Sequence, residues 1–376
     1  MVKLRKYLYE RSQLHLWIYY FYMNYSKTIL VAPLNWGLGH ATRCIPIIKA
    51  LLKNGYRPLL ASDGVALSLL KKEFPELDSI ELASYNIEYA KNGKFFKSKL
   101  IFDTPKMIRA IIRERKFVKQ LVDDGVIHGI ISDNRLGVYD KRVPSIFITH
   151  QLNVLTGNTT YLTSKLHHWF IANFNECWVP DFEEADNLSG RLGHLKNHKI
   201  NTKYIGPLSR FEKNDAEKIY DLMVILSGPE PQRTMLEDKL FNEIKKYPGK
   251  VLFVRGKIEA EQEVFNFLNT TVYNFMTSGE LENAINASDM VLSRSGYTTI
   301  MDLAKLEKKA FFIPTPGQYE QEYLAERLNF KGIVPSERQE HFSIKSLAKA
   351  GLFSGLKNFG RPQEDFGQLF HLFEGK

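Results

Sequence analysis

Apolar and polar positions follow two patterns that alternate along this chain. Short apolar runs, typical of strands buried in a parallel sheet, are separated by longer stretches in which apolar residues recur every three or four positions, as in amphipathic helices. Their alternation predicts an α/β architecture in which helices cover both faces of a doubly wound parallel sheet. The pattern is interrupted once, near the middle of the chain.

The first half contains five predicted strands and four predicted helices. The strands are Thr28–Ala32, Arg57–Ser62, Gly129–Ser132, Ser145–Thr149 and Glu176–Val179. The helices are Ala41–Asn54, Val65–Phe74, Pro105–Val122 and Thr160–Asn173. The second half repeats the alternation with four strands, Leu222–Leu226, Lys250–Val254, Met290–Leu292 and Ala310–Ile313. Its helices are Thr234–Tyr247, Glu280–Ala287, Thr298–Leu306 and Gln321–Leu328.

The interruption consists of Ile205–Leu208 followed by the polar stretch Ser209–Lys218, a composition typical of an interdomain linker. Two Rossmann-like domains in tandem, with a cleft between them, are therefore predicted. The predicted division is an N-terminal extension over 1–26, a first domain over 27–205, a linker over 206–220, a second domain over 221–345, and a C-terminal segment over 346–376 that could pack back on the first domain.

Composition narrows the class of protein. The chain has 376 residues, of which 44% are hydrophobic and 25% charged, as in a globular protein. It has two cysteines, Cys44 in a predicted helix and Cys177 in a predicted strand, which favours a reducing, cytoplasmic setting. No apolar run reaches the roughly 18 residues that a membrane-spanning helix needs. The basic residues and aromatic run within 1–26 leave two interpretations open, an interfacial anchor or an upstream extension.

Two glycine-bearing loops each follow a predicted strand and open a predicted helix. The first contains Gly37, Gly39 and His40, and the second runs from Ser293 to Thr299. Such turns direct unpaired backbone N–H groups and the positive end of a helix dipole toward a ligand. A dinucleotide site is one interpretation of the first loop, but its fingerprint is degenerate. His40, at the start of the helix, is a candidate general base.

The second domain offers candidates for holding a nucleotide diphosphate. Side chains and amides in its two glycine-containing turns could bind phosphate, and the candidates are Ser227, Gly228, Arg233, Arg294, Ser295, Gly296, Tyr297 and Thr298. Neither turn has the ending of a P-loop, which disfavours nucleotide hydrolysis. Asp302, two helical turns after Ser295, could accept hydrogen bonds from a ribose diol. Glu320 and Gln321 follow the next strand and could bind sugar hydroxyls.

The second-domain residues resemble the donor-binding domain of GT-B nucleotide-sugar glycosyltransferases. The matching positions are Arg294, Ser295, Gly296, Thr299, Asp302, Pro314, Glu320, Gln321 and Ala325. The family most resembled is the bacterial N-acetylglucosaminyltransferase that completes the lipid-linked peptidoglycan precursor. The first domain agrees, because Gly37, Gly39 and His40 resemble that family's acceptor-side glycine loop. His150, Gln151 and Asn153 resemble its second acceptor-side segment.

The resemblance implies inverting transfer of a sugar from a nucleotide-diphosphate donor, with uridine as the family default. It implies that the Ser-Gly turn and its helix bind the diphosphate, that Asp302 holds the ribose, and that Glu320 and Gln321 contact the donor sugar. The acceptor, a glycan or a lipid-linked molecule, is left open. His40 is the first candidate for the general base and Asp133 the second. No His, Cys, Asp or Glu cluster has metal-ligand spacing, so metal independence is predicted, with no cofactor beyond the nucleotide sugar.

Basic residues are concentrated in the first half, where residues 1–210 carry 30 Lys and Arg against 18 Asp and Glu. Ten of them lie between Lys91 and Lys119. Over 91–122 they flank an apolar helix face, an arrangement that fits either an anionic membrane surface or an ordinary helix packed on the sheet. The first interpretation predicts a peripheral location on the inner face of the cytoplasmic membrane. Two alternatives to glycosyl transfer remain, a UDP-sugar epimerase of the same fold and a nucleic-acid-binding protein that uses this segment.

Overall fold

The computed structural model describes residues 27–85, 96–195, 199–228, 230–257, 259–357, 359–360 and 366–374, with only the backbone of 96–103. The N-terminal extension and residues 91–95 of the basic segment lie outside the described residues. The described chain forms two α/β units, each built on its own sheet. The predicted fold class, two tandem doubly wound parallel-sheet units, is confirmed.

The first sheet has seven strands, all parallel, in the order β3-β2-β1-β4-β5-β6-β7. They are β1 (Thr28–Pro33), β2 (Arg57–Ser62), β3 (Ser79–Glu81), β4 (Gly129–Asp133), β5 (Ser145–Ile148), β6 (Glu176–Val179) and β7 (Thr202–Tyr204). Its helices are α1 (Gly39–Lys53), α2 (Gly64–Glu73), α3 (Phe96–Asp123) and α4 (Thr160–Ile171). The two edge strands β3 and β7 have three residues each, too few to carry a periodic pattern, and the sequence did not predict them.

The second sheet has six strands in the order β10-β11-β9-β8-β12-β13. They are β8 (Tyr220–Ile225), β9 (Val251–Val254), β10 (Val264–Phe267), β11 (Thr270–Tyr273), β12 (Ser288–Ser293) and β13 (Lys309–Phe312). Its helices are α5 (Gln232–Ile244), α6 (Ser278–Asn286), α7 (Tyr297–Lys305) and α8 (Tyr319–Phe330), and a last helix, α9 (Phe366–Phe370), follows them in the chain. All neighbours are parallel except the antiparallel hairpin β10–β11, which the sequence analysis missed.

One helix begins well before its predicted start. The pattern predicted a start at Pro105, but α3 begins at Phe96, so Pro105 lies inside it. A proline removes one backbone donor without preventing the preceding residues from being helical. The other predicted helices and strands are present, with ends shifted by a few residues.

The last described segment contacts the first sheet rather than the second. The ring of Phe370 in α9 lies 5.8 Å from that of Tyr56 and 6.3 Å from that of Trp178, between ring centroids. Lys27 Nζ donates to the carbonyl of Phe373 at 2.7 Å. The chain therefore crosses back after the second sheet and covers a first-sheet face with aromatic side chains. Among the described residues, no helix has the length and apolarity needed to span a bilayer.

Candidate active site

The two glycine-bearing loops meet where the two units contact each other. Helix α1 packs against helix α7 of the other unit. Thr298 Oγ1 in α7 donates to the carbonyl of Gly39 at 3.2 Å. A Cβ on Gly39 would lie 2.8 Å from that hydroxyl oxygen, so only glycine permits this approach. Gly37 has a φ of +78°, a conformation that glycine adopts without strain.

His40 is bound to a buried carboxylate at the end of β4. Its Nδ1 lies 2.8 Å from Asp133 Oδ1. Arg43, one helical turn after His40, pairs with both oxygens of Asp133. Asp133 and Arg43 are almost fully buried, whereas the His40 side chain keeps 13% of its surface exposed. The three residues form a buried charged cluster directly behind the glycine loop.

This cluster sets the protonation state of His40. Burial alone would raise the pKa of Asp133, but Arg43 and His40 outweigh it and lower that pKa to about 2. A carboxylate only accepts hydrogen bonds, so it favours the His40 tautomer that carries the proton on Nδ1. Arg43 Nη2 also lies 2.8 Å from Nδ1, and in that tautomer it bonds Asp133 instead. Burial and the Arg43 charge lower the pKa of His40, which leaves it neutral at pH 7 with Nε2 as the acceptor.

Asp133 was the second candidate for the general base, and the structure corrects that assignment. Its side chain has no exposed surface, and both oxygens are occupied by Arg43 and His40. A carboxylate with a pKa of about 2 is also a weak base at neutral pH. Asp133 therefore orients His40 and does not reach a substrate itself.

A second histidine links the cluster to the other unit. His150 Nδ1 lies 3.0 Å from Arg43 Nη1, and its Nε2 lies 2.9 Å from Glu320 Oε1 at the start of α8. Gln151 Nε2 donates to the other Glu320 oxygen. The His150 ring also stacks on Tyr297, with centroids 4.2 Å apart and planes 10° apart. Predicted acceptor-side and donor-side residues are thus in direct contact.

The N-terminus of α7 is a candidate binding site for an anion. Gly296 is its N-cap residue, and no side chain caps the helix there. Two polar side chains near this N-terminus hold the loop before α8. Ser295 Oγ donates to the Gln321 carbonyl at 2.8 Å, and Gln321 Oε1 accepts from the Thr315 amide at 2.9 Å. The Ser295 side chain is fully buried, so it holds this loop and does not face the solvent.

Three predicted donor-site side chains point elsewhere. The Arg294 guanidinium is buried and donates to the carbonyls of Ile313, Pro314 and Gln232 and to the side chain of Gln339. Burial lowers its pKa to about 9. Arg233 pairs with Glu237 of its own helix and with Glu230 just before that helix. Both arginines are thus engaged inside the protein and are unavailable to phosphate in this conformation. The Tyr297 hydroxyl donates to the Pro180 carbonyl at 2.8 Å, so it too is directed at the first unit.

Asp302 lies on α7 beside the interdomain segment. Its Oδ1 accepts from Ser209 Oγ at 2.7 Å, and Arg210 is the nearby positive charge. Burial raises the pKa of Asp302 to about 6, against the lowering effects of Arg210 and Ser209. A partly buried carboxyl group whose pKa is shifted by its surroundings is typical of a functional site.

Of the remaining predicted residues, two are exposed after a strand of the second sheet and one lines a cavity. Ser227 and Gly228 are exposed just after β8, and Gly228 has a φ of +105°. Asn153 lines a cavity of about 370 Å³ between the 153–160 segment and α8, together with Arg191 and Tyr323. Asp63 directly follows β2, where the dinucleotide interpretation would need an acid to bind the ribose, and it is instead bound to Asn35 and Arg135. In this conformation that contact leaves no free carboxylate for a ribose.

The sequence is similar to those of known glycosyltransferases. Residues 232–358 match the glycosyltransferase family 28 C-terminal domain. Over 335 residues the chain is 24% identical to the UDP-N-acetylglucosamine–N-acetylmuramyl-(pentapeptide) pyrophosphoryl-undecaprenol N-acetylglucosamine transferase of Glaesserella parasuis serovar 5 (strain SH0165), covering 86% of this chain and 89% of that protein.

Solved structures share the whole architecture. The MurG crystal structure from Acinetobacter baumannii superposes with a TM-score of 0.55 at 13% identity, covering 92% of this chain and 98% of that one. The spinosyn forosaminyltransferase SpnP superposes with a TM-score of 0.60 at 11% identity, covering 93% and 100%. This chain is a glycosyltransferase of the GT-B fold. The matched 232–358 region contains α7, Asp302 and Glu320, which are the residues of its predicted donor side.

The sequence analysis of this glycosyltransferase missed Arg43. It is the most connected residue of the cluster, with contacts to Asp133, His40 and His150. A signal existed, because Arg43 lies three residues after His40 and so shares its helix face. The sequence alone did not show which carboxylate compensates the charge of this buried arginine. It is Asp133, on a strand 90 residues away in the chain. Among the described residues, no three His, Cys, Asp or Glu side chains are grouped so that they could bind a metal ion.

Proposed function

We propose that the enzyme transfers a sugar from a UDP-sugar to a lipid-linked acceptor at the inner face of the cytoplasmic membrane. The transfer inverts the configuration of the anomeric carbon and needs no metal ion. The observation that carries this proposal is the neutral His40 held by Asp133 next to the contact between the glycine loop and α7. The names of its relatives, which specify a UDP-sugar and an undecaprenol-linked acceptor, support the choice of donor and acceptor.

His40 would act as the general base. Its Nε2 would accept the proton of the acceptor hydroxyl while that oxygen attacks the anomeric carbon. The imidazolium that forms is stabilised by Asp133, which is ionised at any pH well above 2. A direct attack of this kind displaces the diphosphate from the opposite side of the sugar and therefore inverts the configuration.

The start of α7 would bind the leaving diphosphate. The backbone N–H groups after Gly296 and the helix dipole stabilise the charge that develops on it, which is the task a metal performs in other transferases. Asp302 would accept hydrogen bonds from the ribose, and Gln321 and Glu320 would contact the sugar. Glu320 is bound to His150 and Gln151 here, so donor binding would exchange those contacts for sugar hydroxyls.

The test separates donor binding from turnover. Thermal stabilisation of the purified enzyme is measured without metal against UDP, GDP, ADP, dTDP, NAD and their sugar conjugates, and transfer is then followed with the UDP-sugar that binds. We expect stabilisation by UDP and its conjugate. His40→Ala should retain that stabilisation and lose about 100-fold or more in turnover, a typical loss for a general base.

Other outcomes would contradict specific parts of the proposal. Stabilisation only by NAD would favour a dinucleotide site in the first domain. Conversion of the sugar without any acceptor would indicate an epimerase. An anomeric configuration retained in the product, measured by NMR, would exclude direct attack assisted by His40.

A further inference from the structure

Strand β10 is one edge of the second sheet, and it is exposed along its whole length. Its apolar side chains keep much of their surface in solvent: Val264 49%, Phe265 45% and Phe267 38%. Proteins usually protect such an edge from further pairing with a lysine, a proline or a bulge. β10 contains neither lysine nor proline, and it pairs with β11 without a bulge. This edge can therefore accept another strand.

The pairing within the hairpin shows which backbone groups of β10 face outward. The Asn274 amide donates to the Glu263 carbonyl at 3.2 Å, so Glu263 directs its backbone groups toward β11. In an antiparallel pair, successive residues direct their N–H and C=O groups to opposite sides. Phe265 therefore bonds β11, whereas Val264 and Asn266 direct their backbone groups outward. Each of these two residues offers one donor and one acceptor to an added strand.

One face of this edge is apolar. Phe265 lies opposite Val272 of β11, which packs in the core with Leu240 of α5. Side chains alternate along a strand, so Phe265 and Phe267 are both on the α5 side of the sheet. Both remain exposed because they lie beyond the part of the sheet that α5 covers. Lys245, just after α5, places Nζ 5.8 Å from the centroid of the Phe267 ring.

The two ends of this edge carry opposite charge. Among the described residues, neither Glu263 at its start nor Lys245 near its end forms an ion pair, and Lys245 Nζ contacts Asn242 Oδ1 at 3.3 Å. Around Glu263 the other charged residues are Glu259, Glu261, Glu280, Lys257 and Lys72, and around Lys245 they are Lys246, Lys250, Glu243 and Asp221. The first end is therefore acidic and the second basic.

We infer that this edge is the site at which two copies of the chain associate. β10 of one copy pairs antiparallel with β10 of the other about a twofold axis, which joins the two six-stranded sheets into one continuous sheet. An identical strand suits the edge because antiparallel pairing brings the acidic end of each copy to the basic end of the other. It also brings the apolar side chains of the α5 side together.

The outward backbone groups fix the register of this pairing. Hydrogen bonds form only where two outward-facing residues lie opposite each other. Both such residues pair within the strand when Val264 lies opposite Asn266 of the partner subunit. Phe265 then lies at the twofold axis, opposite its own counterpart. Glu263 lies opposite Phe267 of the partner subunit, beside the Lys245 that contacts that ring.

The pairing leaves the transfer site open. β10 is four strands away from β12, a distance of about 19 Å at the usual spacing of strands. Helices α7 and α8 follow β12 and β13, at the other side of the sheet. Each copy uses its one β10 edge, so the assembly closes as a dimer and does not extend into a filament. The inference does not depend on the proposed reaction.

The first test is sedimentation velocity of the purified enzyme from micromolar to submillimolar concentration. A reversible equilibrium between monomer and dimer is expected, because one short strand from each copy buries little surface. Phe265→Lys should raise the dissociation constant about tenfold or more, since it places like charges directly opposite each other at the twofold axis. The matched control Phe330→Lys changes a phenylalanine of the same unit that is 93% exposed, and it should associate like the parent.

Charge reversal tests the contact between Glu263 and Lys245. Glu263→Lys and Lys245→Glu should each raise the dissociation constant, because each brings like charges together at both ends of the paired strands. The two changes combined should restore the parent's value to within about twofold. Damage to the fold by either single change cannot produce such a recovery.

Cysteine substitution tests the register. Phe265→Cys should form a disulfide-linked dimer on mild oxidation, because the Cα atoms of a non-hydrogen-bonded pair lie about 4.5 Å apart, within reach of a disulfide. Val264→Cys is the control. Its counterpart is displaced by two residues, which separates the Cα atoms by more than about 7 Å and prevents a disulfide. The native Cys44 and Cys177 are buried.

The inference is overturned if the parent stays monomeric over the whole concentration range, or if Phe265→Lys associates as the parent does. It is also overturned if the two cysteine variants form disulfide-linked dimers equally. UDP should stabilise the parent and Phe265→Lys to the same extent, because the edge lies outside the transfer site. A monomeric parent that UDP stabilises would contradict the pairing and leave the transfer reaction standing.

Discussion

At the scale of single residues, the site depends on how charges compensate one another in the interior. Asp133, Arg43 and His40 are held together although each is costly to bury alone. His40 was predicted from the sequence because its residue type and position suit a base. The role of Asp133 could not be predicted, since whether a carboxylate at a strand end faces a substrate or a buried arginine depends on the packing of α1.

The pH profile of transfer should report His40. Burial and Arg43 lower its pKa below the ordinary 6.5, so the neutral base predominates at pH 7 and above. We expect kcat/KM to fall on acidification with a midpoint below pH 6.5. A profile that declines between pH 8 and 7 would show that His40 is not the group being titrated.

Replacing Arg43 should lower the free energy of unfolding and not only slow the reaction. In Arg43→Gln the Asp133 carboxylate remains buried without its cation, which should lower the free energy of unfolding by about 3 kcal/mol. Arg109→Gln, at an exposed position of α3, is the control and should change it by less than about 0.5 kcal/mol. Urea unfolding at pH 7 measures both. A loss for Arg43→Gln as small as the control's would mean that Asp133 is solvated or protonated.

Asp302 should destabilise the fold at neutral pH. Its folded pKa of about 6 lies above the ordinary 3.8, so its favourable contribution is complete below pH 3.8 and is lost as the pH rises through 6. Asp302→Asn should therefore be more stable than the parent at pH 7, by up to about 3 kcal/mol, with the difference shrinking toward pH 4. Urea midpoints across that range give the comparison.

The same variant tests the ribose role. Asp302→Asn should bind UDP more weakly in spite of its greater stability, because a carboxylate that costs stability is retained for a ligand. Unchanged UDP affinity would remove Asp302 from the donor site.

At the scale of elements, strand-to-helix turns determine where the chemistry lies. Both glycine loops were predicted from an apolar run followed by helical spacing, a local signal that tertiary contacts did not alter. Elements without such a signal were missed. Strand β10 is exposed along its whole length, and it forms because it pairs with β11 across a turn at Leu268, whose φ is +53°.

Gly39→Ala should disrupt the contact between α1 and α7. The new methyl group would meet Thr298 Oγ1 at 2.8 Å, so the loop or α7 must shift. We expect turnover to fall at least tenfold, and Thr298→Ala in the same protein should restore part of it. Gly279→Ala in α6 is the control, because its Cβ meets no atom within 4 Å. If Gly39→Ala has the activity of this control, the close contact is not needed for transfer.

At the scale of the whole molecule, contacts between distant parts of the chain complete both units. Glu320 reaches His150 across 170 residues, and Phe370 covers Tyr56 across 314. No pattern in the sequence around these residues predicts either contact. The first unit is therefore stabilised by the C-terminal segment although the second unit separates them along the chain.

Phe370→Ala should destabilise the first unit. The side chain is almost fully buried against Tyr56 and Trp178, and truncation of such a phenylalanine typically costs about 3–5 kcal/mol. Hydrogen exchange should accelerate in β1, β2 and α1. Phe330→Ala, whose side chain is 93% exposed, should leave both exchange and stability unchanged. Faster exchange confined to the second unit would contradict the observed packing.

The sequence by itself determined the alternation of strands and helices, the two tandem sheets, the glycine loops and the candidacy of His40, because these follow from periodicity and residue type within short windows. Tertiary structure decided which candidates meet. Asp133 contacts His40 and Arg43. Arg294 donates to buried carbonyl groups, and Arg233 forms ion pairs inside the second unit. A charged side chain acquires its role from the partners that share its burial, and for Arg43 two of those partners, Asp133 and His150, lie 90 and 107 residues away in the chain.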